Sequence, residues 1–273
     1  MTAPAFGEAA GLLRVLPVPL RSRGGLHLVE RHARVYRHAW LMLVSGLVEP
    51  LFYLLSIGVG LGRLVGHVNG PAGPVTYAAF VAPALLASSS MNGALYDSTF
   101  NVFFRLKYAK LYDATLATPM RPGDVALGEI TWALIRGALY ACSFMVIMLA
   151  LGLVHSPWAL LAVPVALLIG FAFAAVGMAG TTYMTSWQHF EFVTLATLPM
   201  FLFSASFYPL SVYPGPLQVV VEATPLYQGV TLLRGLTLGV VGPGMLLNAL
   251  YLVVMGLAGL SLSSRRISRL LLR

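Results

Sequence analysis

The sequence predicts an all-α integral membrane protein with six transmembrane helices. Of its 273 residues, 58% are hydrophobic and only 10% are charged, whereas ordinary soluble domains use roughly 25% charged residues. A helix needs about 20 consecutive apolar residues to cross a bilayer, so the chain has length for about six crossings and little else. The apolar runs lie at about 39–62, 76–103, 125–153, 157–184, 191–210 and 244–263.

The basic residues predict the orientation of these spans. Six arginines precede the first run, four Lys and Arg residues separate the second run from the third, and four arginines follow the sixth, which accounts for 14 of the 17 basic residues. Lys and Arg accumulate in cytoplasmic connections, so both termini are predicted to be cytoplasmic. Because these residues flank apolar runs as topology determinants do, no nucleic-acid partner is expected.

The remaining organisation is simple. Residues 1–25 predict a cytoplasmic extension without the continuous apolar core of a secretory signal, and residues 26–273 form the predicted transmembrane domain. Only a few residues around 155–157 separate the third run from the fourth, which predicts a tight helical hairpin. Cys142 is the single cysteine, so no internal disulfide can form.

Residues 26–40 predict an amphipathic helix in the cytoplasmic membrane interface. Their apolar positions recur at spacings of three and four, and the opposite face carries Arg and His side chains. The acyl boundary would take the apolar face and anionic lipids would attract the basic one. A helix packed on another domain is the alternative. The apolar positions are Leu26, Val29, Ala33, Tyr36 and Trp40.

Two connections predict further helices that do not cross the membrane. Residues 104–124 are too polar to span and too regular for a linker, and Pro119 and Pro122 mark where a short helix ends. Residues 211–243 are unusually apolar for an external connection but hold no stretch long enough to cross. A re-entrant pair of helices that breaks near Pro225 is therefore predicted there.

Charges within the apolar runs are informative because each costs a few kcal/mol at mid-bilayer unless it is paired or faces water. Glu49 and Arg136 lie at similar depths in the first and third runs. We hypothesise that they pair or share a polar network. The alternative is that each independently faces a wet cavity.

The second run is rich in hydrogen-bonding side chains. Ser88, Asn92 and Thr99 share one helical face, and this face predicts either a helix interface or a translocation path. Asp97 of the same run and Glu129 of the third are further intramembrane polar positions.

Aromatic residues in the first and fifth runs allow two interpretations. They could contact the lipid part of an amphipathic substrate, or they could form a belt at the membrane interface. With Ser88, the candidates for a substrate path are Phe52, Tyr53, Phe201, Phe203 and Phe207.

The sequence lacks the motifs of nucleotide and metal sites. A phosphate-binding P-loop requires a lysine preceded by glycine, and neither Lys107 nor Lys110, the only lysines, is so placed. The glycines of residues 58–62 end an apolar run, so they predict close helix packing and not a dinucleotide loop. The histidines and the glutamate of residues 27–32 match no zinc-binding spacing.

Taken in order, several motifs resemble those of the ABC-2 type permeases, in particular the branch of nodulation-factor (lipo-oligosaccharide) exporter permeases. The likeness covers nearly the whole chain from about residue 30. The motifs are EPLFY at 49–53, GVGLG at 58–62, YDATLATP at 112–119, Gly128-Glu129 with Trp132 and Arg136, and TPLY at 224–227 ending at Arg234-Gly235.

This resemblance implies an exporter subunit in the bacterial inner membrane, with no cofactor and no catalytic site of its own. ATP and Mg would be bound by a separate P-loop ATPase present in two copies, and a second permease subunit would complete a homodimer among membrane lipids. The cargo would be a lipo-oligosaccharide, another glycolipid or an amphipathic drug. A coupling helix that docks on the ATPase would comprise Tyr108, Leu111, Tyr112, Leu116 and Pro119.

Two other classes compete with this interpretation. An ion-gradient-driven secondary transporter usually has midplane acidic relays and paired repeats, but one midplane acid and no repeat are visible. An intramembrane lipid-modifying enzyme would need clustered His, Asp or Ser at one face of the membrane, and the histidines here are scattered.

Overall fold

The computed structural model describes residues 28–34, 48, 51–71, 73–108 and 122–271. Within these ranges the regular secondary structure is helical apart from one short β-hairpin. The elements are α1 (28–34), α2 (Leu51–Val65), β1 (His67–Gly70), β2 (Gly73–Thr76), α3 (Tyr77–Tyr108), α4 (Pro122–Ala150), α5 (Ala162–Thr181), α6 (Phe190–Leu202), α7 (Gly215–Ala223), α8 (Pro225–Leu238) and α9 (Gly244–Leu271).

Among the described residues, four helices are long and apolar enough to cross a membrane. They are α3 with 32 residues, Asp124–Ala150 of α4 with 27, α5 with its preceding turn from Pro157 with 25, and Gly244–Arg269 of α9 with 26. They coincide with the second, third, fourth and sixth predicted spans.

The first and fifth predicted spans are not confirmed. Most of residues 39–50 lie outside the described residues, and α2 covers only the end of the first span. The fifth span was predicted over 191–210, but α6 has 13 residues and ends at Leu202. A helix of this length rises about 20 Å, short of the roughly 30 Å hydrocarbon core. The backbone leaves the helix after Leu202, and Ala205 has a φ of 53°.

The hairpin between α4 and α5 is confirmed. Gly152 adopts a φ of 67°, which glycine reaches without a steric penalty. The Ser156 hydroxyl accepts the backbone N–H of Trp158 at 3.2 Å, and Pro157 occupies the first position of the following turn. The backbone N–H of His155 donates to the carbonyl of Thr237 at 2.9 Å, which joins the hairpin to α8.

The β-hairpin was not predicted. β1 and β2 pair antiparallel, with His67 opposite Thr76 and Gly70 opposite Gly73. The Thr76 hydroxyl accepts the backbone N–H of Ala79 and so caps the first turn of α3. The hairpin therefore fixes the point at which the second span begins.

The core is centred on α5, which packs against α3, α4, α8 and α9. Glycines allow the closest approaches. A Cβ at Gly259 of α9 would lie 2.7 Å from the backbone of Ala175, and one at Gly177 of α5 would lie 2.5 Å from Ser98 Oγ. Of the glycines of residues 58–62, Gly58 is close to Ala78 of α3, whereas among the described residues no atom lies within 4 Å of a Cβ placed at Gly62. Close packing is thus confirmed at Gly58 and stays a prediction at Gly62.

The connection before α9 folds into two helices as predicted. α7 has 9 residues and α8 has 14, and the chain breaks between them at Thr224 and Pro225. The Thr224 hydroxyl accepts the N–H of Tyr227 at 3.4 Å. α8 is largely buried against α3 and α5. Its entry into the bilayer remains a prediction.

Candidate functional site

A buried network of charged side chains joins α1, α3 and α4 where α3 ends and α4 begins. The Glu129 carboxylate of α4 accepts a hydrogen bond from the Arg105 guanidinium of α3. Its Oε2 atom also lies 3.3 Å from Nε2 of His32 in α1. The side chains of His32 and Glu129 are only 4% and 6% exposed. Three elements distant in sequence therefore share one ion-paired cluster, which we call the inner network.

Trp132 extends the inner network along α4. Its ring stacks on the imidazole of His32, with the ring centroids 5.8 Å apart and the planes at 30°. Leu28, one turn before His32, is also buried, whereas Ala33 is exposed. The side of α1 that packs on the bundle is therefore defined by Leu28 and His32. The sequence identified Glu129 as an intramembrane polar residue but gave no sign that His32 would be its neighbour.

A second ion pair lies deeper between α3 and α4. The Asp97 carboxylate accepts from the Arg136 guanidinium and, at 3.0 Å, from the side-chain amide of Asn101. The side chains of Arg136 and Asp97 are 11% and 10% exposed. Glu49, the predicted partner of Arg136, lies outside the described residues, so that pairing stays a prediction. The described carboxylate on Arg136 is Asp97.

Aromatic rings surround the same end of α3. Phe100 stacks on Phe190 of α6 with centroids 4.1 Å apart and on Tyr96 at 5.0 Å. Trp187, in the turn before α6, stacks on Tyr108 at 5.7 Å. Phe190 is buried, whereas Tyr96, Tyr108 and Trp187 are partly exposed. The sequence spacing of the aromatic residues on α3 could have predicted that they share one side of the helix. It could not have predicted their contact with the turn before α6.

At the opposite end of α3 lies a buried arginine of α8 that is held by backbone carbonyls. The Arg234 side chain of α8 donates from Nε to the carbonyl of Phe80 at 3.2 Å and from Nη2 to the carbonyl of Ala205 at 2.8 Å. Its guanidinium carbon lies 3.8 Å from the centroid of the Phe80 ring. The sequence placed Arg234 in an external loop. Instead it is buried and ties α8 to α3 and to the chain that follows α6.

The chain after α6 is held by local polar contacts. The hydroxyls of Ser204 and Ser206 lie 2.6 Å apart, and both side chains are buried. Burial, followed by the neighbouring hydroxyl of Tyr208, raises the pKa of Tyr213 well above its usual range. Tyr213 therefore stays neutral and can pack against this turn.

The predicted substrate-path residues divide into buried and exposed groups. Ser88 is buried and donates within α3 to the carbonyl of Ala84 at 2.9 Å, so the choice between a helix interface and a translocation path stays a prediction. Asn92, on the same predicted face, is exposed. Phe201 and Phe207 pack edge to face at 5.2 Å against the core.

The other three aromatic candidates are open to the surroundings of the chain. Phe52 is 65% exposed, Tyr53 is 45% exposed and Phe203 is 40% exposed. These three residues come from two parts of the fold. Phe52 and Tyr53 belong to α2, whereas Phe203 follows α6 and lies 6.2 Å from Tyr213 between ring centroids.

Of the predicted coupling residues, Tyr108 ends α3 and is 57% exposed. Leu111, Tyr112, Leu116 and Pro119 lie outside the described residues. In the part of the chain that the structure describes, no group of three or more His, Cys, Asp and Glu side chains could hold a metal ion.

Four long apolar helices with ion pairs buried between them define a multi-pass membrane protein. The model of the ABC-2 type transporter family matches residues 26–238. The chain therefore belongs to this family and is the membrane subunit of an ABC exporter.

Its relatives include several proteins named Nodulation protein J. That of Rhizobium leguminosarum bv. trifolii is 36% identical over 198 residues, which cover 72% of this chain and 74% of the relative. That of Rhizobium leguminosarum bv. viciae is 31% identical over 255 residues, covering 90% and 97%. The protein of Rhizobium meliloti is 33% identical over 229 residues, covering 83% and 86%.

Proposed function

We propose that this chain carries an amphipathic glycolipid, of the lipo-oligosaccharide class, out across the cytoplasmic membrane, using ATP hydrolysed by a separate P-loop ATPase. The likeness to proteins named Nodulation protein J, together with the permease motifs of the sequence, supports this cargo class. The inner network is the observation that carries the mechanism.

The length of α3 is the first step of the argument. Its 32 residues extend about 48 Å, whereas the hydrocarbon core is about 30 Å thick. Some 18 Å of helix thus lies beyond the core. With α3 beginning at the outer β-hairpin, the excess falls at the cytoplasmic end, which holds Arg105 and Tyr108.

The position of the inner network is the second step. The proposed coupling helix runs from about Tyr108 to Pro119, in the part of the sequence that follows α3 and precedes α4. Arg105 lies just before this segment and Glu129 soon after it. A push on the segment by an ATPase would therefore act on both ends of one ion pair, and His32 would pass the displacement to α1.

The third step is the response of the bundle. ATP binding would bring two ATPase subunits together, and the two permease subunits would exchange an inward-open for an outward-open arrangement. Export requires the glycolipid to bind these two arrangements with different affinity. The buried ion pairs can break and reform between helices that stay rigid. They can therefore serve as the element that differs between the inward-open and the outward-open arrangement.

The test is reconstitution of the chain in proteoliposomes with a P-loop ATPase that co-purifies with it. We expect ATP-dependent movement of a fluorescent lipo-oligosaccharide and stimulation of ATP hydrolysis by that lipid. Replacing Tyr112 and Leu116 by glutamate should abolish the stimulation and leave membrane insertion intact, while Leu246→Glu on the exposed face of α9 tests for a general effect of added charge.

Unchanged lipid-stimulated ATPase activity in the Tyr112 and Leu116 variant would contradict the coupling role. Transport driven by an imposed ion gradient without the ATPase would instead favour a secondary transporter.

A further inference from the structure

The outward face of α9 changes from aliphatic to basic along one line of exposed residues. These residues recur at spacings of three and four, which keeps them on one side of the helix. We call this line the α9 row. Its members, all exposed, are Leu247, Tyr251, Val254, Ala258, Leu262, Arg265 and Arg269.

The arginines of the α9 row lie at the level of lipid phosphates. The predicted sixth span, 244–263, holds 20 residues and rises about 30 Å, which is the thickness of the hydrocarbon core. Arg265 and Arg269 therefore lie about 3 Å and about 9 Å beyond the core. The polar headgroups of one leaflet extend roughly 5–7 Å beyond it, so both guanidinium groups can reach them.

A third arginine is held beside the α9 row. The guanidinium carbon of Arg266 lies 4.0 Å from the centroid of the Tyr183 ring, which follows α5. A cation over an aromatic face is attracted by the negative charge of that face, so the contact holds Arg266 against the end of α5. Its positive charge adds to that of Arg265 and Arg269.

These three arginines form no ion pair with a carboxylate in the part of the chain that the structure describes. The last acidic residue of the sequence is Glu222. It belongs to α7, which lies beside the other half of α9, where the Tyr251 hydroxyl donates to the carbonyl of Ala223 at 3.0 Å. Among the described residues, the positive charge at the end of α9 is therefore not compensated.

An anionic phospholipid matches both parts of the α9 row. From Val254 to Leu262 the helix rises about 12 Å, close to the roughly 15 Å of one leaflet, and its exposed side chains there are aliphatic. Beyond them, guanidinium groups bind phosphate through paired N–H donors. The role of basic residues in topology depends on their number at one side of the membrane. It does not account for arginines that continue the exposed aliphatic face.

We propose that the α9 row binds one anionic phospholipid of the leaflet predicted to be cytoplasmic. Its acyl chain lies along Val254 to Leu262, and its phosphate lies between Arg265 and Arg269. The bound lipid fixes the depth of α9 in the bilayer. This inference depends on α9 crossing the membrane and is independent of the proposed cargo and of the ATPase, so it can fail without affecting the proposed function.

The test uses the full chain in micelles of a neutral detergent, titrated with phosphatidylglycerol or with phosphatidylcholine of the same acyl chains. Native mass spectrometry counts the lipids that each folded chain retains. We expect one phosphatidylglycerol to bind in preference to phosphatidylcholine. Each arginine removed should weaken its binding about fivefold, so Arg265→Gln/Arg269→Gln should bind it about thirtyfold more weakly.

Matched variants separate the proposed site from a general effect of charge. Arg63→Gln removes an exposed arginine of α2 and should leave the affinity for phosphatidylglycerol unchanged, whereas Arg265→Gln alone should lower it about fivefold. Arg265→Lys/Arg269→Lys keeps both charges and should bind within about threefold of the unmodified chain. If the double glutamine variant inserts poorly, the two single variants give the same comparison. Inorganic phosphate should not displace the lipid, because it lacks the acyl chain.

Four results would overturn the proposal. The first three are equal retention of the two lipids, equal affinity of the glutamine variants and the unmodified chain for phosphatidylglycerol, and displacement of the lipid by inorganic phosphate. The fourth is the loss of a co-purifying ATPase from Arg265→Gln/Arg269→Gln while lipid binding is retained. That result would assign the arginines to a contact with the ATPase subunit.

Discussion

The two ends of α3 solve the problem of a buried arginine in different ways. At the end predicted to be cytoplasmic, which we call the inner end, Arg105 of α3 meets Glu129 of α4, and Arg136 of α4 meets Asp97 of α3. At the opposite end, which we call the outer end, Arg234 is held by two backbone carbonyls and by the ring of Phe80. A pair of side chains can separate and reform as helices move, whereas backbone carbonyls move only with their helix or turn. We infer that the inner end transmits motion and the outer end keeps its shape.

The largest effect is expected from breaking the deeper inner ion pair. Asp97→Ala leaves the Arg136 guanidinium without this carboxylate in a largely buried position, which should lower the free energy of unfolding by about 3–5 kcal/mol. Unfolding by sodium dodecyl sulfate in detergent micelles measures the change. The Asp97→Leu/Arg136→Leu variant removes both charges and should recover most of the stability. Equal stability of Asp97→Ala and the unmodified chain would contradict the pairing.

The inner network should show strong coupling between its members. In a double-mutant cycle of His32→Ala and Glu129→Gln, we expect an interaction free energy of about 2 kcal/mol, because both side chains are buried and touch. A matched cycle of Arg34→Ala and Glu30→Gln tests an exposed ion pair of α1, and it should give at most about 0.5 kcal/mol. Similar interaction free energies from the two cycles would contradict the stronger coupling expected of the buried pair.

The outer arginine should contribute less than the deep ion pair. Arg234→Met leaves the carbonyls of Phe80 and Ala205 without this donor and should cost about 1–2 kcal/mol, since no partner charge is stranded. The loss of stability in Arg234→Lys should lie between zero and the loss in Arg234→Met, because one ammonium cannot reproduce two donors in a fixed plane. The same detergent unfolding assay applies. A loss of stability as large as that of Asp97→Ala would contradict the difference inferred between the two ends of α3.

The smallest effect concerns the turn that Arg234 holds. Ala205 has a φ of 53°, where an alanine side chain is strained and glycine is not. Ala205→Gly should therefore stabilise the protein by about 0.5 kcal/mol, after the greater entropy of unfolded glycine is subtracted. Ala179→Gly, in the right-handed helix α5, should instead destabilise by about 1 kcal/mol. Destabilisation by both changes would contradict the strain at Ala205.

Hydropathy predicted the long helices well because crossing a bilayer depends on length and apolar content alone. The same measure failed after Leu202, where mostly apolar side chains continue to Tyr208 but the backbone does not stay helical. It also missed β1 and β2, since strands of 4 residues are too short to show a periodic pattern.

The candidate site was harder to predict than the fold. The sequence pointed to Asp97, Glu129 and Arg136 as costly charges, because burial cost depends on residue type and depth. Their described partners depend on how each helix is rotated about its axis, which a single sequence does not determine. His32 illustrates this, since its neighbour Glu129 comes 97 residues later in the chain.

The most direct test of the proposed division of roles is the number of lipid molecules exported per ATP hydrolysed in proteoliposomes. Glu129→Gln at the inner end and Arg234→Lys at the outer end are compared at equal amounts of folded protein. We expect Glu129→Gln to lower this ratio about tenfold, within the usual range of coupling between sites, and Arg234→Lys to leave it unchanged. An unchanged ratio in Glu129→Gln, or an equal fall in both variants, would contradict the account.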